Sequence, residues 1–167
     1  MNIILMRHAE CQCLSPGECD LGRKLVPPGC RDARRAAKFL TGIGIVPKTI
    51  ITSPFKRSVD TGRKVASFLS PRPKVIVDKT MMPGAGLEEI LSSATSRARC
   101  GRKQWILVVG HEPDISNAVA ELLDTEQRYS IPILPATVIG IHIRIVKGCA
   151  EGDLAFSYSP MSFRDNQ

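Results

Sequence analysis

Two histidines and two arginines of this sequence are of the residue types that can bind and transfer anionic groups. Arg7 and His8 follow an apolar run at the start of the chain, and His111 follows another. Ser53 and Arg57 come after a third run. Ligands of open α/β sheets bind at the carboxyl ends of the strands, where these residues would converge. Because arginine binds phosphoryl oxygens bidentately, we predict a phosphoryl site here.

The nucleophile of such a site is predicted by elimination. The sequence has no Cys-x5-Arg loop, no Walker-type glycine-rich loop and no acidic cluster for magnesium. A neutral histidine can attack phosphorus when one ring nitrogen is held by a hydrogen bond and the other is free. His8, at the end of a predicted buried strand, fits this role. The third histidine, His142, lies mid-strand on a polar face, and we expect it to be solvated.

The elements that position these residues alternate between strands and helices. Short apolar runs predict buried strands at 2–7, 49–52, 74–78 and 104–110. A loop rich in proline and glycine covers residues 9–29. Apolar residues at helical spacing predict a helix from Cys30 to Gly42 or Gly44, one around 87–94 and one from Pro113.

A further helix is predicted to open at Ser53-Pro54. Serine is a good N-cap, and proline fits the first helical position. Arg57 would then lie about one turn into the helix. The free N–H groups at that helix start would add to the binding of an anion.

The last third of the chain changes character. Isoleucines alternate with glycine, histidine and arginine over Val138–Val146, which predicts an antiparallel edge strand, and a last strand follows near Leu154–Tyr158. The whole order predicts an α/β fold with a mostly parallel central sheet, helices on both faces and an antiparallel edge strand. Without repeats or linkers, residues 1–167 are expected to form a single domain.

Composition limits the class of protein. The chain has 167 residues, of which 43% are hydrophobic and 23% charged, as in one ordinary globular domain. No apolar run approaches the roughly 18 residues of a membrane span, and no export signal is evident, so we expect a cytoplasmic protein without membrane contact. The net charge of +7 favours anionic partners, whereas 5% aromatic residues argue against nucleic-acid binding.

Six cysteines are present, and Cys11, Cys13, Cys19 and Cys30 are close in the sequence. Their spacing is not that of a zinc ribbon, and a chain of this size needs no disulfides. We therefore expect reduced loop thiols and no metal site.

Three motifs, in order, resemble those of the histidine phosphatase superfamily. The segment 5–10, Leu-Met-Arg-His-Ala-Glu, resembles its Arg-His-Gly signature. The segment 53–61 resembles its Ser-Pro-x-x-Arg-x-x-x-Thr helix start, and 109–113 its second-histidine motif. The short length, the segment from Arg23 to Gly29 and the terminal Ser159-Pro160 are most similar to the SixA-type phosphohistidine phosphatases.

The resemblance implies a three-layer fold like that of phosphoglycerate mutase, and it implies roles for the motif residues. His8 would accept the phosphoryl group, and Arg7, Arg57 and His111 would bind its oxygens and stabilise the transition state. Ser53 and Glu10 are expected substrate-binding residues. The implied activity needs no metal and no cofactor.

The sequence also departs from the family pattern. Ala9 replaces the usual glycine, which is tolerable only if its backbone φ is negative. Lys24 and Val26 alter a segment that more often reads Arg-Pro-Leu-Thr, so we expect this loop to contact substrate differently.

No residue is an evident general acid. Glu10, Glu88 and Glu89 are the candidates, although the two helix glutamates are expected to face solvent. A weak acid matters less for a phosphoramidate, whose imidazole leaves readily once protonated. This difference favours phosphohistidine over phosphoesters as the substrate.

The leading hypothesis is therefore a phosphatase acting on phosphohistidine in a protein partner, of the histidine-containing phosphotransfer type. The alternatives are an enzyme for small phosphorylated metabolites and a weakly active module that binds phosphate or another protein. A mutase is disfavoured because the chain lacks a long insertion to enclose a sugar phosphate.

Overall fold

The computed structural model describes residues 1–17, 19–97, 104–123 and 133–160, which build a mixed sheet of six strands. The strands are β1 (Asn2–Arg7), β2 (Thr49–Thr52), β3 (Lys74–Val77), β4 (Trp105–Gly110), β5 (Val138–Val146) and β6 (Cys149–Tyr158). Their order across the sheet is β3-β2-β4-β1-β5-β6. β1 to β4 pair in parallel, and β5 pairs antiparallel with both β1 and β6.

Four helices cover the two faces of the sheet: α1 (Pro27–Gly42), α2 (Lys56–Ala66), α3 (Leu87–Arg97) and α4 (Asp114–Leu122). One apolar cluster joins α1 and α2 to one face, and a second joins α3 and α4 to the other. Ile3 and Leu5 of β1 face one cluster, and Ile4 and Met6 face the other. A strand buried on both faces is apolar throughout, as predicted. The α/β fold class is confirmed.

Two helix starts differ from the sequence prediction. α1 begins at Pro27 and not at Cys30, because prolines at the first two helical positions lack only N–H groups that would have no helical partner. α2 begins at Lys56 and not at Pro54. The Oγ of Ser53 accepts a hydrogen bond from the Phe55 N–H over 3.3 Å, which forms a turn ahead of the helix.

The edge strand on the antiparallel side is β6. The alternating pattern of residues 138–146 had predicted that β5 would be the edge strand. β5 pairs with β1 over Val138–His142, and only its second half extends beyond β1, where it pairs with β6 alone. That protruding part carries Arg144, one of the polar residues on which the edge prediction was based, whereas Gly140 and His142 pair with β1. β6 also begins earlier than predicted, at Cys149. His142 is exposed, as expected.

The described helices include none that is long and apolar enough to cross a membrane.

Candidate active site

The ends of β1 and β4 place two histidines side by side. Arg7 is in register with Gly110, and the N–H of His8 extends the ladder by donating to the Gly110 carbonyl over 3.0 Å. His8 and His111 follow these positions directly, and their ring centroids lie 5.4 Å apart. Adjacent parallel strands therefore bring together residues that are far apart in the sequence.

Hydrogen bonds assign the tautomer of His8. Nδ1 lies 2.9 Å from the carbonyl oxygen of Ala9, which can only accept, so Nδ1 carries the proton. Nε2 then has the lone pair, and it accepts a hydrogen bond from Nε of Arg57 over 3.2 Å. Ala9 does not have a positive φ, which meets the condition set for replacing glycine there. The basic nitrogen of His8 faces the arginine.

Both histidines are held neutral. Burial is the main cause that lowers the pKa of His8 to about 4; the hydrogen bond to Ala9 opposes this shift, and the charges of Arg57 and Arg7 add to it. Burial is the main cause that lowers the pKa of His111 to about 3, and the nearby charge of Arg57 adds to the shift. At neutral pH the Nε2 lone pair of His8 is therefore not lost to protonation.

Arg57 is buried and held by a carboxylate that sequence reasoning missed. Its Nη1 and Nη2 donate to Oδ1 and Oδ2 of Asp20 over 3.0 and 3.1 Å. Arg23 Nε also donates to Asp20, over 2.6 Å. Burial raises the pKa of Asp20, but the hydrogen bonds and charges of the two arginines outweigh it and lower the pKa. Asp20 stays ionised and fixes Arg57 with its Nε–H towards His8.

Asp20 lies in the loop before α1, on a short 3₁₀ turn at Asp20–Gly22. In the sequence, the only indication of its role was its position three residues before Arg23, in a segment rich in glycine and proline. That segment has no periodicity from which its position could be predicted.

The other predicted residues surround the same point. Ser53 is buried, and its Oγ lies 2.7 Å from Nε2 of His111. Nδ1 of His111 is buried and has no hydrogen-bond partner among the described residues. Arg7 donates from Nη1 to the carbonyl of Ile133 over 2.7 Å. Arg7 Nε is likewise buried and without a hydrogen-bond partner among the described residues.

The hydroxyl of Thr61 holds the backbone next to His8. Oγ1 of Thr61 donates to the Arg57 carbonyl over 2.7 Å and accepts from the N–H of Ala9 over 3.0 Å. It connects α2 to the segment that carries His8.

Gly29 at the start of α1 packs against the Glu10 backbone so closely that a Cβ would lie 2.1 Å from the Glu10 carbonyl oxygen.

Two glutamates line the resulting pocket, which has a volume of about 400 Å³. One is Glu10, a predicted candidate. The other is Glu112, which sequence reasoning did not consider, and whose buried Oε2 has no hydrogen-bond partner among the described residues. Glu88 and Glu89 are exposed on α3 and do not line this pocket, as expected.

Cys11 also lines the pocket, but burial raises the pKa of its thiol, so it remains protonated at neutral pH. In the described part of the chain, no three histidine, cysteine or acidic side chains are grouped as metal ligands.

Comparison with known proteins adds to this geometry. Residues 3–82, which include His8 and Arg57, match the family model of the histidine phosphatase superfamily (branch 1). The resemblance to the histidine phosphatase superfamily is confirmed. His111 lies beyond the matched residues. No curated protein is significantly similar in sequence.

Solved structures share the histidine phosphatase fold at low sequence identity. A protein histidine phosphatase SixA complexed with tungstate superposes with a TM-score of 0.80 at 22% identity, covering 98% of this chain and 100% of that one. A putative SixA from Agrobacterium tumefaciens gives 0.79 at 19% identity, with coverages of 95% and 97%. A phosphoserine phosphatase mutant from Entamoeba histolytica gives 0.69 at 15%, with coverages of 97% and 98%. These likenesses show the fold, and the superfamily match supports a phosphatase.

Proposed function

We propose that this protein is a phosphatase, built as a single domain, that transfers a phosphoryl group to His8 and then to water. The observation that carries the proposal is the state of His8. Its Nδ1 proton is held by a carbonyl, its lone pair is on Nε2, and burial keeps it neutral at the base of a pocket. These are the properties that a histidine nucleophile requires.

In the first step, the Nε2 lone pair of His8 attacks phosphorus, and the bond from phosphorus to the leaving group breaks. Arg57 must turn its Nε–H from Nε2 to a phosphoryl oxygen as the new bond forms. Arg57, Arg7 and His111 would stabilise the charge on the equatorial oxygens. In the second step, water attacks the phosphohistidine, which releases inorganic phosphate and restores neutral His8. Arginine supplies the positive charge, so we propose that the reaction needs no metal.

The proposed substrate is phosphohistidine in a protein of the phosphotransfer type. Its leaving imidazole takes up a proton easily, so the first step makes a small demand on a general acid. The histidine phosphatases named SixA are similar to this chain over nearly its whole length.

A second candidate, a phosphatase for small phosphomonoesters, is favoured by one observation. Glu112 places a carboxyl group beside the histidines, where it could protonate an alkoxide leaving group. The phosphoserine phosphatase among the similar structures has the same fold. Substrate preference separates the two candidates.

The test is isotopic labelling with ³²P-phosphohistidine protein, with a phosphoserine peptide and a sugar phosphate assayed on the same preparation. Wild-type protein is expected to acquire acid-labile, alkali-stable label, and His8→Ala to acquire none. His142→Ala, at an exposed histidine, is the control and should label normally. Labelling of His8→Ala would refute the assignment of His8 as the nucleophile. Activity should also survive a metal chelator, and its loss would refute metal independence.

A further inference from the structure

A second polar groove runs along α2 next to the proposed active site. It has a volume of about 560 Å³. One wall is a stripe on α2 at helical spacing, and the other comes from the loop before α1 and the first turn of α1. The lining residues are Lys56, Asp60, Arg63, Lys64 and Ser67 on the first wall and Lys24, Leu25 and Cys30 on the second.

The charge of this groove is strongly positive. Four of its side chains are cationic, and its single carboxylate, Asp60, is neutralised by Lys56 at 3.1 Å. Lys24, Arg63 and Lys64 form no ion pair with a described carboxylate. Lys24 and Arg63 are exposed, so both are free to meet a ligand. The groove therefore offers about three unneutralised positive charges.

The groove lies next to the catalytic pocket at two pairs of consecutive residues, in which one member lines the groove and the other lines the pocket. Arg57 turns into the pocket while Lys56, directly before it, lines the groove. In the same way Arg23 lines the pocket and Lys24 the groove. The loop wall is held in place where the Lys24 N–H donates to Oε1 of Gln12 over 3.0 Å.

The length of the groove indicates the size of its ligand. From Lys56 to Ser67 a helix rises about 16 Å, which is the span of about five extended residues. A phosphoryl group with a small leaving group, bound in the neighbouring pocket, would leave such a groove unfilled. Among the described residues, its lining has no aromatic side chain on which bases could stack, which argues against a nucleic acid.

We propose that this groove binds an acidic segment of the phosphorylated protein substrate next to its phosphohistidine. The proposal rests on the proposed function and names the part of the substrate that this chain recognises outside the reacting group. Asp and Glu side chains of the substrate would pair with Arg63, Lys64 and Lys24 while the phosphoryl group enters the pocket. Such charge complementarity increases the association rate and selects among partners.

The experiment compares Arg63→Glu/Lys64→Glu with the charge-matched control Lys48→Glu/Arg72→Glu. Lys48 and Arg72 are exposed and precede β2 and β3, at the opposite edge of the sheet from the site. The substrates are a phosphohistidine peptide flanked by Asp and Glu, the same peptide flanked by Ser and Gly, and phosphoramidate. Arg63→Gln/Lys64→Gln serves as a second variant, because it avoids acidic residues at the end of α2.

We expect the groove variants to lose about tenfold or more in kcat/KM on the acidic peptide, with a weaker salt dependence. Turnover of phosphoramidate and of the neutral peptide should stay within twofold, and so should every activity of the control. An equal loss on both peptides, or an equal loss in the control, would overturn the proposal. So would binding of duplex DNA that the groove variants abolish while acidic-peptide turnover is unchanged.

Failure of the proposed function gives a different result. Wild-type protein would then hydrolyse phosphoserine but neither phosphohistidine peptide. In that event, inhibition of phosphoserine turnover by the unphosphorylated acidic peptide tests the groove directly. Inhibition weakened tenfold in the groove variants supports an acidic ligand, and unchanged inhibition refutes it.

Discussion

Acid should destabilise this protein through the neutral, buried imidazole of His8. The pKa of His8 is 6.5 in the unfolded chain and about 4 in the folded protein. Between these values the unfolded chain binds a proton that the folded chain does not bind, so the free energy of unfolding falls as the pH falls. For His8 alone, the loss from pH 8 to pH 5 is about 2 kcal/mol.

The perturbation that isolates this effect is His8→Asn, which keeps a polar side chain but removes the titrating group. Urea unfolding at pH 8 and pH 5 should show that the variant loses about 2 kcal/mol less than the wild type over this range. His142→Asn, at an exposed histidine, should lose as much as the wild type. If His8→Asn and the wild type lose the same free energy of unfolding, then the fold does not hold His8 neutral. That result would refute the proposal that burial keeps the Nε2 lone pair of His8 available for attack.

Three further substitutions test the contacts around the site. Thr61→Val leaves two backbone groups without their hydroxyl partner and should cost about 1–3 kcal/mol in chemical denaturation, whereas Thr41→Val, which loses one bond inside α1, should cost less than about 1 kcal/mol. Asp20→Asn removes the charge that competes with a bound anion for Arg57, so inhibition by inorganic phosphate should tighten about fivefold; weaker inhibition would show that Asp20 helps to hold the anion. Glu112→Gln should lower kcat on phosphomonoesters by about 100-fold and on phosphohistidine by only a few fold, and an equal effect on both would exclude it as the acid.

The buried parallel strands were predicted more accurately than the helix starts. β1 and β2 have the bounds that their apolar runs indicated, because a strand buried on both faces must be apolar from end to end. The start of α2 shifted because Ser53 and Pro54 can form a separate turn as readily as a cap. The position of β5 inside the sheet depends on pairing with β6, which no local pattern of β5 reveals.

The sequence by itself determined the α/β class and the order of strands and helices, because apolar periodicity is a local property. It also indicated that His8, Arg57 and His111 follow strands, and hence that they lie at one edge of a parallel sheet. Tertiary structure alone decided that Asp20 binds Arg57 across 37 residues of chain and that Glu112 faces the pocket. It also decided that a basic groove lies next to the site. Such contacts are made between side chains that the fold brings together, and the spacing of residues in the sequence does not encode them.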